Sequence, residues 1–204
     1  MKNKLFFILL SYFISQNIIS QVIIHEKTLG YKKDEILFET IELKDGTYLS
    51  LGWTFSIGNG ENDFYLVKTD TKGNKIWEKT FGGYEKETGI SIKEFNNGNL
   101  LLSGTTRSFG SGGGDCIFII TDKNGNKLKE FYHGSFGEDY LRESVITKDE
   151  KIIFVGYSNS FGHGRKDIIY GKFDLNGNLM WIKNIGGEFD DEGWGVIETT
   201  DSGY

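Results

Sequence analysis

Four acidic side chains, Glu35, Glu87, Asp139 and Asp191, return at a fixed step of 52 residues. Hard divalent cations want several oxygen ligands, so four such carboxylates converging on one axis would form a ring able to hold Ca2+. A second duty needs no ion: each acid follows a paired-glycine position, where a carboxylate accepts backbone N–H bonds from the turn. The turn duty is the simpler of the two. A calcium titration of the melt separates them, since only the ring responds.

Other groups capable of chemistry are sparse. His25, His133 and His163 fall at different places in the 52-residue step, so no metal-ligand spacing emerges. Cys116 takes the position held by Phe64 and Ile168, which marks a small buried hydrophobe, and a lone cysteine makes no internal disulfide. The neighbouring acids Glu138 and Asp139, or Asp190 and Asp191, suit a glycosidase pair only if they share a face, and adjacent strand residues do not. No Gly-x-Ser-x-Gly elbow and no phosphate-cradling loop is present. The loop over 110–115 is similar to glycine-rich calcium-binding repeats. Those return about every nine residues, whereas the glycine-rich version occurs here once, which weighs against calcium at this loop.

The elements that position these residues follow from the repeat itself. Asp70-x-x-Gly73-Asn74, Asp122-x-x-Gly125-Asn126 and Asp174-x-x-Gly177-Asn178 keep the step without insertion or deletion, as do Asp63, Asp115 and Asp167. A period of this length marks one supersecondary unit that buries its faces against its neighbours. In the first copy, strand-forming runs cover 35–43, 47–54, 63–69 and 75–81. They are separated by a tight Asp-Gly hairpin, a glycine-rich loop over 56–60, and a type I turn closed by Gly73. Four antiparallel strands per repeat make a β-propeller blade. Trp77 and Trp181 share one fourth-strand position and are expected to wedge between blades, where a tryptophan buries about 150–250 Å². The glycine-rich loops vary from copy to copy at Glu61-Asn62, Gly113-Gly114 and Arg165-Lys166, so their face is the expected recognition surface.

Composition limits the rest. The chain has 204 residues, no proline and 28 glycines, with a 15% aromatic share, which favours an all-β fold. Alanine, the best helix former, is absent. Lys2 and Lys4 precede an apolar run over 5–14, and Ser20 stands before Gln21, the order of a secretory signal peptide over 1–20. That run is shorter than the ~20 residues needed to span a bilayer, so no membrane span is expected in the mature chain. Without Lys2 and Lys4, 21 basic and 29 acidic residues leave a net charge of −8, with no basic stripe for nucleic acid.

The expected organisation is a leader over 1–20 and propeller repeats over 21–204. Within the repeats come a lone fourth strand over 22–30, blades over 31–82, 83–134 and 135–186, and the start of a fourth blade over 187–204. The ring would be incomplete, with three full blades and two partial ones. The remaining blades are expected on a longer polypeptide of which this chain is a fragment.

The pattern Asp-x-x-Gly-Asn-x-x-Trp-x-Lys-x-x-Gly-Gly resembles the secreted propeller repeats of Bacteroidetes-type bacteria. So do the Asp-Gly-(Tyr/Leu)-(Leu/Ile)-x-x-Gly and Ser-Phe-Gly-x-Gly-x-x-Asp segments. The resemblance covers 22–204 and implies a secreted or cell-surface scaffold recognising an extracellular protein or glycan, without catalysis in this segment. A distant likeness to quinoprotein and kelch-like propellers rests on Gly73 and Trp77, four apart. The Asp-to-Gly spacing is one residue shorter and the threonine is missing, which argues against a quinone cofactor. The competing expectation is the substrate-binding part of a secreted hydrolase or lyase whose catalytic residues lie beyond Tyr204. A downstream catalytic domain would favour that enzyme, and further repeats the binder.

Overall fold

The computed structural model describes residues 27–204. The leader expected over 1–20 and most of the strand expected over 22–30 lie outside the described residues. Among the described residues there are twelve strands and no helix, and so none long and apolar enough to cross a membrane. The first sheet comprises β1 (Glu35–Glu42), β2 (Tyr48–Thr54), β3 (Asp63–Thr69) and β4 (Lys75–Phe81). The second holds β5 (Glu87–Glu94), β6 (Leu100–Thr106), β7 (Asp115–Thr121) and β8 (Lys127–His133). The third holds β9 (Asp139–Ile146), β10 (Ile152–Ser158), β11 (Asp167–Phe173) and β12 (Leu179–Ile185). In each sheet the strands lie side by side in chain order, and neighbours run antiparallel.

Alternation of side chains across each strand makes the second sheet two-faced. Leu100, Leu102, Ile117 and Ile119 pack on Leu49, Leu51, Phe64 and Leu66 of the first sheet. Their neighbours Leu101, Cys116, Phe118 and Ile120 pack on Leu141, Ile152, Phe154, Ile169 and Phe173 of the third. Each core is thus shared between consecutive repeats, and the first strands β1, β5 and β9 touch in sequence along one edge.

The first strands are bent where their register shifts, between Leu37 and Glu39 in β1 and between Gly89 and Ser91 in β5, with the matching shift in β9. Such a bulge presses the first strand onto the second. A Cβ on Gly52, Gly104 or Gly156 would stand 1.7, 1.9 or 1.8 Å from the carbonyl oxygen of Ile36, Thr88 or Tyr140. This contact explains why that glycine recurs once per repeat.

One expected strand is not formed. Residues 191–200 carry first-strand pattern, yet among the described residues they gain only isolated partners. The Asp191 N–H donates to the Lys166 carbonyl (2.9 Å), and the Gly193 N–H donates to the Gly156 carbonyl (3.3 Å). A strand needs a continuous hydrogen-bonded neighbour, and two bonds do not supply one. The turn beyond it does form, with Thr199 N–H on the Gly203 carbonyl at 2.8 Å, as Leu43 and Thr47 do in the first repeat.

Candidate functional site

The four repeating acids sit in turns, each accepting a backbone N–H from four residues earlier. Glu35 takes Tyr31 (3.0 Å), Glu87 takes Gly83 (2.8 Å), Asp139 takes Ser135 (2.8 Å) and Asp191 takes Gly187 (2.9 Å). The hydroxyls of Thr54, Thr106 and Ser160 add a second donor to the first three. Among the described residues no group of three or more His, Cys, Asp or Glu side chains is placed to hold a metal ion. What the structure shows of these four acids is the turn duty. The bulged residues Phe38, Ile90 and Arg142, with Trp194 one repeat further on, line a hollow of about 340 Å³ together with Glu39 and Glu143. There Glu39 accepts the Ile92 N–H (2.6 Å) and Glu143 accepts the Val196 N–H (2.9 Å), tying β1 and β9 to the repeat that follows each.

Asp63, Asp115 and Asp167 begin the third strands, and the first two meet the acids of the following repeat. Asp63 Oδ2 accepts N–H bonds from Asn59 (2.9 Å) and Gly60 (3.2 Å), while its buried Oδ1 has no donor. A Cβ on Gly82 would lie 1.9 Å from that Oδ1 and 2.5 Å from Glu87 Oε2, so the two carboxylates flank one point. At the next joint a Cβ on Gly134 would lie 1.8 Å from Asp115 Oδ1 and 2.9 Å from Asp139 Oδ2. Burial pushes the Asp63 and Asp115 carboxyls up, and the adjoining charges of Glu87 and of Asp139 and Glu138 add to it. Beside these pairs runs a main-chain clasp. The N–H of Glu87, Asp139 and Asp191 donates to the carbonyl of Asn62 (2.8 Å), Gly114 (2.6 Å) and Lys166 (2.9 Å) respectively.

The Asp-x-x-Gly-Asn turns are three superimposable copies. Asp70 Oδ1 accepts the N–H of Lys72 and Asn74, both at 2.8 Å, and Oδ2 accepts the Asn74 amide at 2.9 Å. Asp122 and Asp174 make the same three bonds. Gly73, Gly125 and Gly177 supply φ of +77°, +75° and +81°. Trp77 reaches from β4 toward the second sheet, its ring atoms 3.1 Å from where a Cβ on Gly125 would stand, and packs on the first shared core. Phe131 holds the same relation to Gly177. Trp181 lies edge-on to Tyr170 at 5.7 Å and tilted against Tyr204 at 5.8 Å, so it too touches the repeat that follows.

His133 is half-buried and stacked on Phe161 at 5.8 Å, and burial lowers its pKa against the pull of Asp139. Cys116 is fully buried, and burial raises its thiol well above the usual range. His25 lies outside the described residues.

The antiparallel order puts the β2–β3 loops and the links between repeats at one end of the sheets. At that end a cleft of about 550 Å³ lies between the first and second sheets, lined by Asn59, Tyr84, Glu85, Arg107, Ser108 and Phe109. Tyr84 is 87% exposed, and Phe136, one repeat later at the same position, is 92% exposed. Phe109 is stacked on Tyr132 at 5.6 Å, and Ser108 Oγ accepts the Glu85 N–H at 2.9 Å. Arg107 donates to Glu138 Oε2 (2.8 Å) and to the Tyr140 hydroxyl (3.0 Å), while Lys86 pairs with Glu61 at 3.1 Å. The cleft therefore combines exposed aromatic faces with cations that already have partners.

No family model matches the chain, and no curated protein matches it.

The loop positions that vary in sequence divide into two kinds. Asn62 is buried and donates to the Glu87 carbonyl (2.6 Å), Gly113 and Gly114 donate to the next repeat, and Lys166 pairs with Glu192 at 2.7 Å. Glu61 and Arg165 stay exposed. Tyr84, Phe109 and Arg107 were missed by the sequence reading. The available signal was Tyr84 and Phe136 following the paired-glycine position, large aromatics with no strand to bury them.

Proposed function

We propose that the chain is a β-propeller segment acting as a secreted or cell-surface binding module whose glycine-rich loop face meets an extracellular protein or glycan. Three consecutive four-stranded sheets with shared cores and adjoining first strands support the propeller reading. The observation that carries the functional reading is the exposed pair Tyr84 and Phe136 on one loop face, beside a cleft of ligand size. The leader pattern supports export, and the net acidity speaks against a nucleic-acid partner. Any Ca2+ requirement and the remaining blades belong to the same reading and are tested on the secreted protein.

The test is photo-crosslinking from two positions. A label at residue 136 reports the loop face, and one at residue 149 reports the hairpins at the opposite end. Cross-linking to extracellular material from residue 136 alone is expected. Equal yields from both ends would remove the loop face as the recognition surface.

A further inference from the structure

The cleft beside Tyr84 has a composition that selects among ligands. Its one large exposed ring, Tyr84, stands out from the surface with no neighbour stacked on it among the described residues. The floor ring, Phe109, is fixed by stacking on Tyr132 and is itself 37% exposed. Residues with planar polar groups, Asn59, Glu85 and Arg107, line the same cleft. Each can bind two neighbouring hydroxyls through paired donors or acceptors. The main chain keeps these walls close, since a Cβ on Gly83 would stand 2.4 Å from Ser108 Cβ and 3.0 Å from Phe109.

Charge narrows the choice. Both cations at this end of the cleft are matched, Arg107 by Glu138 and Lys86 by Glu61, and Glu85 adds a further negative charge. A sulfate, phosphate or uronate in the cleft would meet Glu85 and no unmatched cation, and the adjoining hollow adds Glu61. A protein partner would have to bury this charged set, whereas the cores of protein interfaces are depleted of charge. A neutral ligand rich in hydroxyls, with a flat apolar face for Tyr84, satisfies both conditions.

We propose that this cleft binds a neutral glycan, with a sugar ring stacked on Tyr84 and its hydroxyls held by Glu85, Asn59 and Arg107. The inference rests on the loop face being the recognition surface. Phe136, one repeat along, offers a second platform to a longer glycan chain.

Affinity electrophoresis of the full chain tests this, in gels containing a neutral β-glucan, a neutral mannan, or alginate as the uronate control. Retardation by a neutral polymer and not by alginate is expected. Tyr84→Ala should weaken it about tenfold, and Tyr84→Trp should preserve it. Tyr84 is exposed, so a thermal melt equal to that of the parent chain will confirm that the variant folds. Retardation by alginate alone would overturn the neutral-ligand assignment. Retardation unaffected by Tyr84→Ala but lost in Phe136→Ala would overturn this cleft while keeping the loop face. No retardation in any gel would overturn the glycan, and crosslinking from residue 136 to a protein would then show that the loop face still serves recognition.

Discussion

Asp115 faces Asp139 across the joint between the second and third sheets, and each has an oxygen without a donor. Its carboxyl is raised by burial and by the neighbouring charge, so it favours the fold only while protonated. That contribution is complete below the unfolded value of about 3.9 and is lost as pH rises through the higher folded value. Asp115→Asn keeps an oxygen for the Ser111 N–H and turns an amide donor toward Asp139. Urea melts should show the variant more stable than the parent at pH 7 by about 1 kcal/mol, the scale of one hydrogen bond, with a flatter profile as pH rises above the unfolded value. A variant less stable at pH 7 would mean that the ionised pair is compensated. The turn aspartates behave with the opposite sign. The Asn74 amide and backbone hold Asp70 low, as Asn126 and Asn178 do for Asp122 and Asp174, so their support is present above about pH 3.9 and fades as pH falls through the lower folded value. Asp122→Asn should therefore lose less stability than the parent on acidification from pH 5 to pH 2. An equal loss in both would show that this turn carries none of the acid sensitivity.

At the scale of the element, two contacts hold strands in register. Gly104→Ala would drive a methyl into the Thr88 carbonyl at the β5 bulge, and overpacking of this kind costs about 1–3 kcal/mol. An unchanged melting temperature would show that the bulge can relax. Trp77→Ala would remove the side chain lying over Gly125 and should cost about 2 kcal/mol, less than for a fully buried tryptophan because Trp77 is half-buried. Strands were the most legible feature of the sequence. β3 and β4 begin and end where the alternating runs do, and β1 and β2 differ by one residue at the hairpin, where the Leu43 N–H turns to the Thr47 carbonyl. The bulges were not legible, because Phe38, Ile90, Arg142 and Trp194 share a position and no chemistry. Without them the sequence left open whether the acids at the start of each first strand face a channel or serve the turn, with the turn the simpler duty. The Asp63–Glu87 and Asp115–Asp139 pairs were also hidden, since each joins residues of different repeats through the fold alone. The cleft escaped because repeat reading rewards sameness, and Tyr84, Phe136 and Glu188 at one position offer none.

For the molecule as a whole, the second sheet is packed on both faces, and its strands β6 and β7 are buried throughout. In the flanking sheets β10 is also buried throughout, and the exposure falls on the fourth strands, with Ile76 exposed on β4 and Met180 and Ile185 on β12. Amide exchange should accordingly be slowest in β6 and β7 and fastest in β4 and β12, as mass spectrometry can read. Slower exchange in β12 than in β6 would mean that the shared cores are not the seat of stability. The main-chain clasp between repeats bears on how such a chain changes over generations. Asn62, Gly114 and Lys166 share no side-chain chemistry, yet each gives the same carbonyl to the same N–H. The clasp itself is a main-chain bond that any of these three residues permits. Loop residues beside it can therefore be exchanged, and whole units shuffled or duplicated, without refitting the seam, and novelty in binding is open to the display surface while the assembly stays intact.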